Sequence, residues 1–368
     1  MRNAIPRPYK PIKPGDLIQE ELDERGWSQS DLAAILQRPS QAINEVIVGK
    51  KAITPETAVA LGAAFGTSAQ YWLNLESAYR LDLLAMTSGN QTVEPVSRRA
   101  NLYSIAPVQE MLKRNWISPA NARDLDDLER ELCVFFEVDS LANLPDMKCA
   151  ARKTGEGDLT SAQSAWVFMV KKRAKDRPFS IYNKDGLLKL AEKLSQSSTK
   201  DTEIRAIPEK LAQVGVSLVL VEAFPRTKID GIAFWVDHQP VIGLSLRLKR
   251  IDYFFFTLLH EIAHVVHEDS LDGRLDIDIF DPNELDDLER CANEKAKNWI
   301  IPPGELDIFK RRCQGKFSGA KILEFSERFG VNPALIVGRL HHEGLLPYSH
   351  HRQMLGEVKS ILDDLIFH

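Results

Sequence analysis

The chain has 368 residues, enough for two or three domains that each bury a core. Its 44% apolar and 27% charged residues describe an ordinary globular protein, and no stretch approaches the roughly 18 uninterrupted apolar residues of a membrane-spanning helix. The net charge of -5 gives no global attraction to nucleic acid, so any DNA contact must come from a local patch.

The segment from Met1 to Lys13 carries charge and prolines but lacks the apolar core of a signal peptide. Cys133, Cys149, Cys291 and Cys313 are scattered without a Cys-x-x-Cys pair, which fits reduced thiols and a cytoplasmic protein. Residues 14 to about 85 read as a run of short helices. Leu17, Ile18 and Leu22 fall at helical spacing before Gly26. Ser28 with Asp31 three positions on has the form of a capping box for a second helix through Ala34, Ile35 and Leu36. Arg38-Pro39-Ser40 breaks it, and Ser40 is expected to cap a third helix through Ile43, Val46 and Ile47. Thr54-Pro55-Glu56 opens a fourth, since proline suits a first turn, and Ser68 a fifth through Tyr71, Trp72 and Leu75.

Thr87 to about Ser97 is polar and reads as a linker. Residues 100 to 200 are mostly helical, with polar breaks at Lys153-Thr154-Gly155-Glu156-Gly157 and Ser195-Gln196-Ser197-Ser198-Thr199. From about residue 210 the β-branched content rises. Val214 to Glu222, Gly231 to Val236 and Val241 to Leu244 predict two or three antiparallel strands, with turns at Asp230-Gly231 and at Asp237-His238-Gln239-Pro240. Tyr253-Phe254-Phe255-Phe256-Thr257-Leu258-Leu259 then runs unbroken into His260-Glu261-Ile262-Ala263-His264, and so predicts a buried helix.

That His-Glu-x-x-His segment is the sharpest chemical signal. Residues four apart share a helix face, so His260 and His264 can present two imidazoles to one zinc ion. Glu261 can reach a water polarised by that ion and act as base without being a ligand. The competing reading is two surface histidines on an amphipathic helix. About 25 residues downstream, Glu289-Arg290-Cys291-Ala292-Asn293-Glu294 offers a third ligand. Ala292, Ala296, Trp299 and Ile300 face a core and turn Glu289 and Asn293 inward with them. Asn293 can then steady a ligating histidine through its outer nitrogen. Glu284 and Glu294 compete for the ligand role, and Glu289 also reads as one more solvated acid. His267 stands one turn past His264 beside Glu268-Asp269, at an expected wet helix end. His341, His342 and Arg339 in the run Val337 to Gly344 offer oxyanion stabilisers or mere capping groups.

Two families are resembled. Pro14-Gly15, Ser28-Gln29, Gly49-Lys50-Lys51, Ile53-Thr54-Pro55-Glu56-Thr57-Ala58 and Tyr71-Trp72-Leu73-Asn74-Leu75 closely resemble the helix-turn-helix domain of HigA-type antitoxins of the XRE family. Thr257 to His264, Glu289 to Asn293 with Ile300-Ile301-Pro302, and Val337 to Leu345 resemble the ImmA/IrrE metallopeptidases. The second resemblance implies that Glu289 is the third zinc ligand and favours His342 over His341 in an oxyanion role. Ala263 departs from the glycine common there. Members of this peptidase family typically cleave a repressor protein.

The expected architecture is α+β and mostly α. A HigA-like helix-turn-helix domain spans 1–90 and a helical middle region 91–205. A metallopeptidase domain spans 206–368, with a small antiparallel sheet and zincin-type helices. In the first domain, residues 28–37 are the positioning helix and 40–48 the recognition helix. Gln41 and Asn44 lie one turn apart with Ser40 at the helix N-terminus, and Gln and Asn can each read adenine. Arg38, Lys50 and Lys51 meet phosphates. Glu20, Glu21, Asp23, Glu24 and Glu45 offset these charges, so a homodimer on palindromic operator DNA is expected. Tyr71-Trp72 is assigned to packing. The functional expectation is a DNA-binding regulator that cleaves a regulatory protein. The competing one is a non-enzymatic antitoxin-like repressor whose zinc domain senses a ligand or binds a partner, such as a toxin.

Overall fold

The computed structural model describes residues 11–88, 93–144, 150–151, 159–176, 180–267, 274–277 and 287–368. The break expected at 153–157 and the competing ligand Glu284 lie outside them. The chain forms two compact units, residues 1–100 and 101–368. Residues 101–205 of the middle region lie in one unit with the region from 206 on, and residues 91–100 lie in the first.

The first unit holds α1 (Pro14–Arg25), α2 (Gln29–Ile35), α3 (Ser40–Ile47), α4 (Pro55–Phe65) and α5 (Ala69–Ser88). Ile18, Leu22, Leu32, Ile43, Leu61, Phe65 and Trp72 form its core. Ser28 and Asp31 make the reciprocal capping box, and Thr54 accepts from the Thr57 N–H in front of Pro55. Gly26 and Gly66 end α1 and α4 in the left-handed region, where a side chain would strain the turn. The start of α3 differs from expectation. Pro39 is its N-cap and Ser40 is already helical, with no side-chain cap bond, because the fixed φ of Pro39 sets the entry one residue earlier. Gly15 lets α1 meet α3: a Cβ there would lie 1.8 Å from the Ile47 carbonyl oxygen.

The linker expected over 87–97 is mostly helix. α5 runs to Ser88, and α6 (Val93–Ile105) begins by tolerating Pro95 in its first turn. The second unit continues through α7 (Val108–Lys113), α8 (Leu125–Phe135), β1 (Ala150–Ala151), α9 (Ser161–Lys175) and α10 (Lys184–Leu194), then α11 (Asp201–Arg205) and α12 (Ile207–Gln213). The serine-rich break at 195–199 is a 3₁₀ turn instead of a loop. Its Ser198 is buried because the hydroxyl accepts from the Asn332 N–H at 2.8 Å. Then come β2 (Ser217–Val221), β3 (Ile229–Val236), β4 (Gln239–Leu244), α13 (Ile251–His267), β5 (Arg274–Ile277), α14 (Asp287–Ile300), α15 (Pro303–Cys313), α16 (Gly319–Phe329), α17 (Pro333–His342), α18 (Lys359–Leu362) and β6 (Ile366–Phe367). Among the described residues no helix is long and apolar enough to cross a membrane.

The strands form one mixed sheet in the order β1-β5-β3-β4-β2-β6. β3 and β4 are the expected antiparallel hairpin, turning through Asp237 and His238, both at positive φ as a tight primed turn requires. Three expectations are corrected. β2 pairs with β4 in parallel, and so does β6 with β2, so the sheet is not purely antiparallel. The unbroken apolar run of β2 is the mark of a strand covered on both faces. Pro240 lies inside β4 and Asp230-Gly231 inside β3; neither is in a turn. Leu218, Leu220 and Ile242 face the core under α13, while Val219, Val221 and Val241 face the one built on Trp166, Phe168 and Val170 of α9. The sheet is thus a wall between two cores, with α13 on one side.

Candidate metal centre and nucleic-acid interface

Helix α13 is buried along nearly its whole length, from Ile251 to Val266. His260, Glu261 and His264 are all 0% exposed. Polar side chains in such surroundings cost several kcal/mol each unless they are satisfied, on the order of 2–7 by transfer measurements. Helix α14 brings Glu289, which is 1% exposed, against the two imidazoles. The Nε2 atoms of His260 and His264 stand 3.0 Å apart. The nearer Glu289 carboxylate oxygens lie 3.2 Å from His260 Nε2 and 3.4 Å from His264 Nε2. A tetrahedral ion with bonds of about 2.0–2.1 Å needs donors about 3.3 Å apart. The three side chains therefore fit one ion, and they are the group of potential metal ligands found among the described residues. Burial alone would raise the Glu289 pKa, but the hydrogen bonds and charge of the two histidines outweigh it and hold it far below the usual carboxylate range.

The surroundings orient these groups. His260 Nδ1 lies 3.0 Å from Asn293 Oδ1, so its N–H points to the amide and its Nε2 lone pair faces the other ligands. Glu261 packs against strand β3 where only glycine fits: a Cβ on Gly231 would stand 2.1 Å from Glu261 Oε1. Gly338 does the same for α17, since a Cβ there would come within 2.4 Å of Asp252 Oδ2 on α13. That close approach brings His342 at the end of α17 over Phe256, the ring centroids 5.9 Å apart, and Phe256 is itself 6.2 Å from His260. His342 is solvent-exposed as a residue. Its ring is nonetheless partly desolvated by these neighbours, and with Lys297 and Arg339 close by its pKa falls below that of free histidine. His341 points elsewhere: it is buried and bonded through Nε2 to the His350 carbonyl at 2.9 Å. Glu294 is exposed and pairs with Lys297 at 2.8 Å, away from the cluster. His267 meets the Cys291 sulfur at 3.5 Å.

Sequence reasoning missed Gly231, because an Asp-Gly pair between two β-rich runs carries the signature of a turn. It also missed Arg247, which clamps Asp230 at 2.7 and 3.0 Å and reaches the Tyr253 hydroxyl at 3.1 Å. No local pattern announces that bridge from β3 to α13.

In the first unit Ser40, Gln41, Asn44, Lys50 and Lys51 are all exposed on α3 and the turn after it, while Ile43 is buried beneath them. Arg38 is half-buried and donates to the Thr57 hydroxyl at 3.0 Å, which anchors it to α4. Lys51 pairs with Glu45 at 2.6 Å, and Gln41 donates to the same carboxylate at 3.2 Å. Trp72 is a core residue, 0% exposed, whereas Tyr71 is 42% exposed.

Residues 18–72 match the helix-turn-helix family and residues 215–341 the IrrE N-terminal-like domain of the M78 peptidases. An uncharacterized HTH-type transcriptional regulator of Escherichia coli K12, YddM, is 41% identical over 69 residues, 19% of this chain and 73% of that protein. Virulence-associated protein I of Dichelobacter nodosus is 40% identical over 73 residues, 20% of this chain and 68% of that one. Among solved structures, the Pseudomonas aeruginosa antitoxin HigA with its higBA promoter is 34% identical, covering 23% of this chain and 91% of that one, at a TM-score of 0.22.

Proposed function

We propose that this chain, which belongs to the helix-turn-helix transcriptional regulators and carries an IrrE-like peptidase domain, is a cytoplasmic zinc endopeptidase that binds operator DNA as a homodimer and cleaves a regulatory protein. The observation that carries this reading is the buried triangle of His260, His264 and Glu289 with Glu261 held beside it. A scaffold that only held an ion would need the triangle and not a fourth buried acid.

When bound, zinc supplies a Lewis acid that polarises a substrate carbonyl and activates water for attack. His260, His264 and Glu289 would hold it, and Asn293 fixes the His260 ring with Nε2 directed inward. Glu261, pressed into place by the bare backbone at Gly231, takes the proton from the attacking water at its carboxylate and passes it to the leaving amine. His342 lies on the Phe256 side of the ligand cluster and donates to the negative charge that develops on the carbonyl oxygen. In the other unit, Gln41 and Asn44 read bases from the start of α3, with Ser40, Arg38, Lys50 and Lys51 on the backbone.

The test is zinc content and proteolysis of candidate repressors by wild type and Glu261→Gln. The variant is expected to keep its metal and lose about 10²–10⁴ in rate, the usual contribution of a general base. Unchanged cleavage by the variant would overturn the endopeptidase reading.

A further inference from the structure

Away from the metal triangle, a cavity of about 270 Å³ opens at the carboxyl ends of β2, β4 and β6, where β3 begins. Its lining carries five basic side chains, Arg226, Lys228, Arg247, Lys249 and Lys359, and the carboxylate of Glu222, while the buried Asp230 carboxylate pairs with Arg247 at 2.7 Å. The Glu222 carboxylate is already engaged by Lys359 at 3.0 Å and His368 at 3.2 Å. With both carboxylates counted, the basic side chains still outnumber the acids, so the lining is net positive in a chain whose net charge is -5.

Its walls are tied by hydrogen bonds. Arg114 donates to the carbonyls of Glu222 and Ala223 at 2.6 and 2.9 Å, and the Thr227 hydroxyl donates to the Phe224 carbonyl at 2.8 Å. On the facing wall, the Ser245 hydroxyl donates to the Ile229 carbonyl and accepts from the Arg247 N–H at 3.1 Å. The Val358 N–H donates to the Lys249 carbonyl at 2.7 Å. Arg226, Lys228 and Leu246, all lining the cavity, hold φ of 68°, 55° and 50°, a conformation that side chains other than glycine rarely adopt. Outliers of this kind persist where the surroundings over-determine them, and they gather at ligand sites. The crevice beyond the carboxyl ends of parallel strands is also where open sheets take ligands.

We propose that this cavity binds a small phosphorylated compound, its phosphate held between Arg226 and Lys249. The volume fits a small molecule and is too small for a duplex or a folded chain, and the charge selects a multivalent anion over a neutral one. Arg247 beside this cavity also clamps Asp230 and touches the Tyr253 hydroxyl at the start of α13. The binding claim does not depend on peptidase activity.

Inorganic pyrophosphate titrated into the full-length protein by calorimetry, at fixed ionic strength, tests it. Saturable one-to-one binding is expected. Arg226→Ala with Lys249→Ala, both exposed positions, should weaken it at least tenfold while leaving the melting temperature unchanged. Lys50→Ala with Lys51→Ala should leave it as in wild type. Absence of saturable binding, or equal affinity in the Arg226/Lys249 variant, would overturn the proposal. So would a loss confined to the Lys50/Lys51 variant, which would move the anion to the DNA-binding unit.

Discussion

Helices α3 and α13 both carry the polar residues on which function is argued, and they carry them in opposite ways. On α3, Gln41 and Asn44 stand in water above a single buried Ile43. Their exposure costs nothing, so nothing in the folded unit alone demands a partner for them. On α13, His260, Glu261 and His264 sit in a helix that is otherwise almost wholly apolar and buried. Holding them dry is expensive, so the fold itself calls for whatever compensates them. A buried polar cluster is a statement about chemistry, whereas an exposed one is only an opportunity for it.

Four perturbations would break or sharpen this contrast, from large effects to small. Trp72→Ala empties the centre of the first unit, where the indole lies 5.7 Å from the Phe65 ring and donates to Thr67 at 2.8 Å. A loss of about 3–5 kcal/mol is expected. It should appear as loss of operator binding with unchanged zinc stoichiometry, and loss of both would show that the two helices share one stability. Gln41→Ala with Asn44→Ala should erase about 1–3 kcal/mol of base discrimination per contact while leaving the urea midpoint unchanged. Equal operator affinity of wild type and variant in a gel-shift titration would remove α3 from the reading of bases.

Asn293→Ala should weaken zinc about 10–100-fold in a competition titration with a chromogenic chelator, because the His260 ring loses its orienting amide. An unchanged affinity would mean the ring is held by packing alone. Ser28→Ala should cost about 1 kcal/mol of the first unit's stability through the lost cap. The partner Asp31 gives the sign of the pH dependence. The Ser28 N–H, then its hydroxyl, lowers the Asp31 pKa below 3.8, so the stabilisation is complete above that value and fades as pH falls through the lower folded one. Melts of wild type between pH 5 and about 2 should show the fade; Ser28→Ala, which keeps the backbone N–H, should lessen it, and Asp31→Asn should abolish it.

Much of this was legible in the sequence where the signal is local. Capping residues at Ser28 and Thr54 mark their helices because the bonds they make close within one turn. The spacing of His260 and His264 survives for the same reason. Legibility ended where distant segments meet. Asp230-Gly231 looks like a turn, yet the glycine answers to Glu261 across the core. The parallel pairing of β2 left only a weak trace, an apolar run without alternation. His341 and His342 are neighbours that residue type cannot separate, and only the packing of α17 on α13 sends one to the His350 carbonyl and the other to Phe256.

The position of β6 bears on how this protein is made. Strand β2 finds β4 soon after it emerges, but its other flank waits for Ile366 and Phe367, which come far later in the chain. During synthesis that flank is an open row of backbone donors and acceptors on a strand with apolar side chains on both faces. For the time it takes to translate everything between, it is the molecule's natural point of misassembly with another nascent chain, and the place where a chaperone would do most good.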